Sequence, residues 1–168
     1  MKLVYPSKKY LKSYREAFEE YIEHGVETYA FDDTNKVDVV KKYYNYRKGI
    51  DLKPNRVAQT TYWLVDGEKF IGEIGIRHSL NEALLQYGGH IGYGIRFSCW
   101  GQGYGTKMLS LALKKAKLMG LDRVLITCDD DNFASAKVIE NNNGKLENVV
   151  ENVIDGKTIH TRRYWIEL

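Results

Sequence analysis

Three glycines occupy alternate positions in CWGQGYGTKML, the segment over residues 99–109. Gly101, Gly103 and Gly105 can take positive φ and let a ligand approach the backbone without a Cβ in the way. The apolar, lysine-bearing stretch that follows predicts a helix. Amides at the start of a helix have no intrahelical partner and lie at the positive end of the helix dipole. The segment is therefore typical of a phosphate-binding loop.

The spacing of these glycines argues against ATP and NAD as the ligand. Thr106 stands five residues after Gly101, where a P-loop would begin Gly-Lys-Ser/Thr. The pattern G-x-G-x-G also differs from the dinucleotide fingerprint G-x-G-x-x-G. A flexible connector remains the alternative, because an isolated motif of this length is weak. The elements around the loop indicate whether it binds phosphate or is only a flexible connector.

The chain before the loop begins with two helical patterns. Apolar spacing predicts an amphipathic helix over residues 8–23, ended near Gly25, and a weaker helix over residues 37–46. Tyrosine is frequent in this N-terminal third, and the positions considered are Tyr10, Tyr14, Tyr21, Tyr29, Tyr43, Tyr44 and Tyr46. They could line an amine-binding cleft by cation–π contact, but helical spacing favours packing in the core.

Strands follow these helices. TTYWLVDGEKFIGEIGIRH predicts a β-hairpin with its turn at Asp66-Gly67, and HIGYGIRF predicts another strand over residues 90–97. Alternation along the second hairpin strand separates two sets of side chains. One face is expected to carry Phe70, Ile74 and Ile76, and the other Ile71, Glu73 and Arg77.

Beyond the loop the pattern becomes strand, helix and hairpin. The helix that the loop opens ends at Gly120, and RVLITC is typical of a strand buried on both faces. A helix over residues 133–141 and two strands around Asp155-Gly156 complete the chain. This order predicts a mixed α/β, or α+β, domain with helices packed on a sheet.

The flanks of the loop also carry a family resemblance. Residues 92–148 resemble the acetyl-CoA-binding core of the GCN5-related N-acetyltransferases (GNAT), whose signature is Gln/Arg-x-x-Gly-x-Gly/Ala after a central strand. The likeness spans residues 69–168 and includes Asn132-x-x-Ser135. A bacterial subgroup of predicted acetyltransferases is closer still. Its RH-x-LN and GGHIGY motifs correspond to Arg77, His78, Leu80 and Asn81, and to residues 88–93.

The resemblance implies a GNAT fold, with a central, mostly antiparallel twisted sheet and helices on both faces, in one domain over residues 1–168. It implies acetyl-CoA as co-substrate and transfer of the acetyl group to a primary amine by direct attack in a ternary complex. No metal is expected, because the two cysteines and four histidines show no ligand spacing. The acceptor would be a small-molecule amine or a peptide amine. The oligomeric state stays open, with a homodimer as one option.

The resemblance also assigns residues to the coenzyme. The pyrophosphate would lie on the loop amides, and the pantetheine arm would pair with the central strand as an extra strand. The loop set is Gly101, Gln102, Gly103, Tyr104, Gly105 and Thr106, and the strand set is Ile95, Arg96 and Phe97. The N–H near Ile95 would hold the thioester oxygen as negative charge develops on it. Asn132 and Ser135 would either contact the coenzyme or cap their helix.

Two residues depart from the family pattern. Trp100 stands where the signature has Gln or Arg, and Ile139 stands where many members have the tyrosine proposed to protonate the departing thiolate. Because a thiolate is a tolerable leaving group, the missing acid need not abolish transfer. A catalytically weak or inactive acyl-CoA-binding or sensing module is therefore the alternative function.

An ammonium ion cannot attack a thioester, so transfer needs a base or a water chain to one. Glu73 is the first candidate, because it lies next to the presumed thioester strand where family members often place a carboxylate. It could instead be half of an exposed ion pair with Arg77. His78, Glu82 and His90 are further candidates, although a lone strand histidine is more often structural.

Composition limits the other partners. Net charge is +3, from 25 basic and 22 acidic side chains among 168 residues, which is too small to favour nucleic acid or an anionic membrane. No apolar run has the length of a signal peptide or a membrane span, so a cytoplasmic location is expected by default. Cys99 and Cys128 have no Cys or His neighbours at the spacing of a disulfide framework or a metal site. They are expected to be buried or incidental thiols.

Overall fold

The computed structural model describes residues 1–27, 31–154 and 156–168. Within these ranges the strands are β1 (Lys2–Val4), β2 (Gln59–Asp66), β3 (Lys69–Arg77), β4 (Ile91–Ile95), β5 (Arg123–Asp129), β6 (Lys145–Ile154) and β7 (Lys157–Glu167). The α-helices are α1 (Leu11–Glu23), α2 (Val39–Lys48), α3 (Tyr104–Leu118) and α4 (Phe133–Glu140). Short helical turns cover Lys8–Tyr10, Leu84–Gly88 and Phe97–Cys99.

The described strands form one sheet in the order β1-β2-β3-β4-β5-β7-β6. Every neighbouring pair is antiparallel except β4 and β5, which run parallel. Helices α1 and α2 pack on one face of the sheet, and α3 and α4 pack on the other. The predicted fold, a mostly antiparallel mixed sheet with helices on both faces, is confirmed.

The hairpin of β2 and β3 forms as predicted, with one difference in its faces. A β-bulge lies where the register moves from Leu64 opposite Gly72 to Val65 opposite Phe70. The extra residue turns Phe70 toward α1 and α2, and Ile71 joins Ile74 and Ile76 on the α3 side. The expected face of Phe70 and Ile71 was therefore wrong, because simple alternation takes no account of a bulge.

The helices begin and end close to their predicted limits, for local reasons. Asp38 caps α2 by accepting a hydrogen bond from the amide of Lys41 at 3.0 Å, and Gly49 ends that helix in the left-handed conformation. Gly25 and Gly120 likewise have positive φ just beyond α1 and α3. Helix α2 is shifted by two residues from the predicted range, because the cap at Asp38 sets its start.

The C-terminal hairpin joins β6 to β7, as expected, although Asp155 of its predicted turn lies outside the described residues. Cys99 and Cys128 are free and buried, in agreement with their interpretation as core thiols. Among the helices of the described ranges, none combines the length and apolar character that a membrane crossing needs.

Candidate active site

Strands β4 and β5 separate almost as soon as they meet. Their pairing consists of Ile91 opposite Ile126, whereas β4 continues to Ile95 and β5 to Asp129. His90 reinforces this junction, since its amide donates to the carbonyl of Leu125 at 2.6 Å. A wedge-shaped gap therefore opens in the middle of the sheet, at the place expected for the thioester.

The edge of β4 that borders this gap carries polar groups without ladder partners. The amide of Arg77 donates to His90 and that of Arg96 donates to Ile71, so even-numbered residues of β4 face β3. Odd-numbered residues face β5, yet the register with β5 includes Ile91 alone. Tyr93 and Ile95 thus direct backbone groups into the gap.

The carbonyl of Ile95 is an exception, because two side chains already occupy it. Trp100 donates its indole N–H to this oxygen at 2.7 Å, and the Tyr21 hydroxyl donates to it as well. The indole also packs against Phe97, with ring centroids 4.8 Å apart. Trp100 therefore fixes the end of β4, which accounts for an aromatic donor at a position where the family signature has Gln or Arg.

The glycine loop leads from this strand end to the start of α3. Gly101 and Gly103 have φ of 70° and 77°, as the predicted loop requires. Gly105 does not: it lies in the first turn of α3, and a Cβ there would stand 3.0 Å from Val138 of α4. The expectation of positive φ at all three glycines was wrong for Gly105, whose small size serves helix packing.

The first turn of α3 is open to a ligand. Its N-cap residue is Gly103, so no side chain caps the helix, and the first turn contains no acidic residue. The first amides, those of Tyr104, Gly105 and Thr106, have no partner within the helix. Gln102 turns its side chain back to the carbonyl of Ser98 at 3.0 Å, leaving the exposed loop backbone clear.

Asn132 and Ser135 have internal hydrogen bonds at the start of α4. Asn132 caps the helix through its side-chain oxygen, which accepts from the Ser135 amide at 2.9 Å. The Ser135 hydroxyl lies 2.8 Å from the hydroxyl of Tyr93, which reaches from β4 toward α4. The capping interpretation thus has direct geometric support, and any contact with the coenzyme remains a proposal.

Ile139 is completely buried in the core between α4 and the sheet. Its side chain occupies the space into which a Cβ on Gly144 would project, at 2.4 Å, so this position is filled by packing. Tyr93 of β4 brings a hydroxyl to the start of α4 instead. Burial raises the pKa of Tyr93 far above its usual value, so its phenol keeps its proton at neutral pH.

Glu73 lies on β3 directly opposite Gly94 of β4 and is only 8% exposed. The Tyr43 hydroxyl donates to one carboxylate oxygen and the Trp63 indole N–H to the other, each at 2.7 Å. Burial raises the pKa of Glu73 to about 8, although both donors favour the charged form. An exposed ion pair between Glu73 and Arg77 is therefore excluded.

A chain of polar groups links this buried carboxyl group to the outside. The Tyr43 hydroxyl lies 2.7 Å from Glu73 and 3.1 Å from Asp32, and Asp32 pairs with Lys42 at 2.7 Å. Because the hydroxyl has one proton, it donates to one carboxylate at a time. A protonated Glu73 can donate to Tyr43 while Tyr43 donates to Asp32, so the three groups form a path for a proton. Asp32 and Lys42 are about one quarter exposed.

The other predicted bases have different surroundings. His90 is buried, and its Nδ1 accepts from the Leu125 amide at 2.9 Å, so the ring joins β4 to β5. Burial and the charge of Arg77 lower the pKa of His90. His78 is exposed beyond the end of β3, where it bonds the Thr60 hydroxyl at 2.8 Å, and burial lowers its pKa too. Glu82 lines a separate cleft.

Residues 96 and 97 face inward or pack locally. The Arg96 guanidinium pairs with Glu20 of α1 at 2.6 Å and bonds Ser13 at 3.0 Å. Phe97 stacks on His24 with ring centroids 3.8 Å apart. Both side chains attach the end of β4 to α1, so only their backbone is available to a coenzyme.

The tyrosine-rich N-terminal third is mainly core, as expected from its spacing. Tyr10, Tyr14, Tyr21 and Tyr43 are buried in the cluster between α1, α2 and the sheet. Tyr44 is half exposed, and Tyr29 lies outside the described residues. Sequence reasoning missed Tyr43 as a partner of Glu73 and Tyr21 as a partner of Ile95. Their only signal was a hydroxyl at a core-facing position, since a buried hydroxyl requires a hydrogen-bond partner.

The sequence matches the family model described as an acetyltransferase (GNAT) domain over residues 12–145. The chain therefore belongs to the GNAT acetyltransferase family, as its resemblance had indicated. No curated protein matches the chain in sequence.

Solved structures share its fold at low identity. The microcin C7 self-immunity acetyltransferase MccE, in complex with acetyl-CoA and AMP, is 16% identical with a TM-score of 0.74, over 99% of this chain and 91% of that one. The Salmonella typhimurium enzyme that modifies the N-terminal serine of ribosomal protein L7/L12 is 16% identical with a TM-score of 0.72, over 99% and 94%. RimL in complex with coenzyme A is 17% identical with a TM-score of 0.70, over 99% and 93%.

Proposed function

We propose that this protein is an acetyl-CoA-dependent N-acetyltransferase that moves the acetyl group to the primary amine of an acceptor by direct attack in a ternary complex. The observation that carries the proposal is that three features lie around β4. These are the unladdered backbone at Tyr93 and Ile95, the uncapped start of α3, and buried Glu73 opposite Gly94. The β4 backbone would bind the amide chain of pantetheine, the start of α3 would bind the pyrophosphate, and Glu73 would accept the amine proton.

The loop backbone over residues 101–106 would hold the coenzyme pyrophosphate. Two positive-φ glycines and the uncapped first turn of α3 present amides to an anion, and no acidic side chain opposes it. The complexes of MccE with acetyl-CoA and of RimL with coenzyme A support the same cofactor here. Asn132 and Ser135 would border the coenzyme from the start of α4.

The β4 edge would hold the pantetheine arm. Of the strand residues predicted for this pairing, Ile95 has its carbonyl occupied, and the carbonyls of Arg96 and Phe97 accept from Cys99 and Trp100 in the turn that follows. The polar groups facing the gap are those of Tyr93 and the N–H of Ile95. We therefore assign the pairing to Tyr93–Ile95, with the N–H of Ile95 directed at the thioester oxygen.

Glu73 would take the proton of the acceptor amine. Its raised pKa, about 8, suits a base that acts on an ammonium group near neutral pH, and the path through Tyr43 to Asp32 offers the proton an exit. The amine nitrogen bonds to the acetyl carbon, and the carbon–sulfur bond breaks. The nitrogen loses two protons: Glu73 takes the one that frees the lone pair, and the one released as the amide forms goes to the thiolate. Tyr93 would donate a hydrogen bond to the sulfur, in place of the tyrosine missing at Ile139. Neither cysteine is an obvious nucleophile, since burial raises the pKa of Cys128 to about 11 and Cys99 is buried.

The test is a coenzyme-release assay with acetyl-CoA and a panel of small amines and peptides at several pH values, paired with calorimetry of coenzyme A. Release that depends on the amine would support the enzyme. Coenzyme binding with no release above background for any amine would contradict it and favour the binding or sensing module. Absence of coenzyme binding would remove both functions.

A further inference from the structure

A cleft separate from the gap between β4 and β5 lies at the C-terminal end of β3, the end away from the β2–β3 turn. It has a volume of about 660 Å³, between residues 54–57 and residues 81–87. We call it the arginine cleft, because Arg56 and Arg77 lie among its lining residues. Its wall contains Arg77 and Asn81 of the RH-x-LN motif, and neither residue belongs to the proposed coenzyme site.

The motif residues build the wall of this cleft. Arg77 donates through Nη1 to the carbonyls of Gly88 and Gly89 at 2.6 and 2.9 Å. Asn81 donates to the carbonyl of Asn55 at 2.8 Å and accepts from the Leu84 amide at 3.0 Å. The bond from Asn81 to Asn55 joins the two loops, and the bonds of Arg77 attach the end of β3 to residues 88 and 89, so the wall of the cleft is held in place.

The charge of Arg77 is not neutralised by a carboxylate in the described ranges. Three other arginines, Arg96, Arg162 and Arg163, each have a carboxylate oxygen within 3 Å. Arg77 has none within 4 Å among the described residues, although it is largely buried. Arg56 and Arg77 both line the cleft, so two like charges face one space, and burial together with the nearby charge of Arg56 lowers the pKa of Arg77. Glu82 also lines the cleft but forms no ion pair with either arginine there. Buried charges normally have a partner, and here an anionic ligand can supply it.

The cleft lies in line with the reacting centre. Residues 73, 75 and 77 share one face of β3, and Gly75 and Glu73 pair with Gly92 and Gly94 of β4. Gly92 is exposed in mid-strand, and a Cβ there would stand 3.7 Å from Nη2 of Arg77. The side chain of Gln59 covers Gly75 of β3, so a ligand could extend from the arginines toward Glu73 past Gln59 and along the exposed Gly92 of β4. Four residues of strand separate Arg77 from Glu73, or about 13 Å.

We infer that the acceptor is an amine with an anionic group, a carboxylate or a phosphate, at its other end, and that Arg77 and Arg56 bind this group. The inference rests on the proposed function, because it takes Glu73 and the β4 edge as the place of reaction. Tyr46 and Tyr87 offer flat faces to the middle of the ligand. A span of about 10–13 Å corresponds to a short peptide or an aminoalkyl phosphate.

The test compares matched acceptors in the coenzyme-release assay. One pair is trialanine with a free carboxylate against trialanine carboxamide, and the other is 6-aminohexyl phosphate against 6-aminohexanol. The anionic member of at least one pair should have a kcat/KM at least 10-fold higher, since charge-assisted hydrogen bonds are strong. The pair that shows the preference identifies the anion as carboxylate or phosphate.

Two variants separate recognition from folding. Arg56→Gln changes an exposed residue and should remove most of the preference, lowering kcat/KM for the anionic acceptor but not for its neutral partner. Gly92→Val places a strand-favouring side chain against the Arg77 guanidinium, with its Cβ 3.7 Å from Nη2, and should block both acceptors while coenzyme affinity is kept. Arg77→Gln also removes the bonds to Gly88 and Gly89, so its effect is compared with those of Arg56→Gln and Gly92→Val.

The outcomes distinguish this inference from the proposed function. Amines that react with equal efficiency whether anionic or neutral, with no effect of Arg56→Gln, would overturn the inference and leave the enzyme intact. If no amine reacts, calorimetry with trialanine and 6-aminohexyl phosphate decides. Binding that Arg56→Gln weakens at least 5-fold would keep the anion site in a protein without transferase activity. Absence of both binding and release would overturn the inference together with the proposed function.

Discussion

The loop at the start of α3 and the pocket around Glu73 lie on opposite sides of β4 and are built from different parts of the chain. The loop offers backbone amides from one continuous segment, residues 101–106. The Glu73 pocket depends on side chains from three separate elements, with Tyr43 on α2, Trp63 on β2 and Glu73 on β3. A backbone site survives most substitutions that spare its glycines, whereas a side-chain site changes with each of its members. This difference predicts separate effects on coenzyme affinity and on turnover.

The largest expected effect is on the backbone site. Gly103→Val should weaken coenzyme A binding about 100-fold, because it disturbs at least two amide contacts to phosphate, each worth about 1.5 kcal/mol. Calorimetry measures the affinity. The matched control is Gly120→Val, since Gly120 has φ of 86° with open space around it but lies at the other end of α3. Equal loss of affinity in both variants, or none in Gly103→Val, would remove the loop from the site.

The second effect should fall on turnover alone. Glu73→Gln should lower kcat by about 100-fold or more, the usual contribution of a general base, with little change in coenzyme affinity. In the wild type kcat should rise with pH around a midpoint near 8, because the carboxylate must be deprotonated to accept a proton. An acceptor with an amine pKa above 10 keeps its own titration outside the measured range of pH 6 to 9. Loss of activity in His90→Ala or His78→Ala with none in Glu73→Gln would reassign the base.

A smaller effect is expected from Tyr93→Phe. This change removes the hydroxyl that bonds Ser135 and that we assign to stabilise the departing thiolate by a hydrogen bond. We expect kcat to fall about 10-fold, because a thiolate leaves readily without full protonation. Ser135→Ala is the control, since it removes the hydrogen bond and keeps the phenol. If both variants lose the same activity, Tyr93 only supports α4.

The last prediction concerns stability, and it tests the burial of Glu73 without any substrate. An unfolded glutamate releases its proton near pH 4.5, whereas the folded protein holds it up to about pH 8. Folding therefore binds a proton between these values, and stability falls as pH rises through this range. In urea unfolding at pH 5, 7 and 9, the wild type should lose stability relative to Glu73→Gln. Glu68→Gln, an exposed carboxylate on the hairpin, should show no such trend. Parallel curves for wild type and Glu73→Gln would mean that Glu73 is charged when folded.

The same contrast explains how much could be predicted from the sequence. Periodicity and turn residues predicted the helices, both hairpins and the loop at 101–106, because these features depend on neighbours in the chain. The bulge that exchanges Phe70 and Ile71 was missed, since it arises from the register between two strands. Glu73 was named as a candidate base from the family pattern, but its burial and its bonds to Tyr43 and Trp63 depend on contacts across 30 and 10 residues. No local pattern carries that information.

The single junction between β4 and β5 has a further consequence. Strands β1 to β4 and strands β5 to β7 each form a complete antiparallel sheet, and the two sheets share one residue pair and the His90 contacts. A pantetheine chain lying in the gap would form hydrogen bonds with strands that do not pair with each other there. We therefore expect the coenzyme to couple the two halves mechanically, so that amide hydrogen exchange slows along β5 as well as β4. Ligand and protein would then complete one continuous sheet.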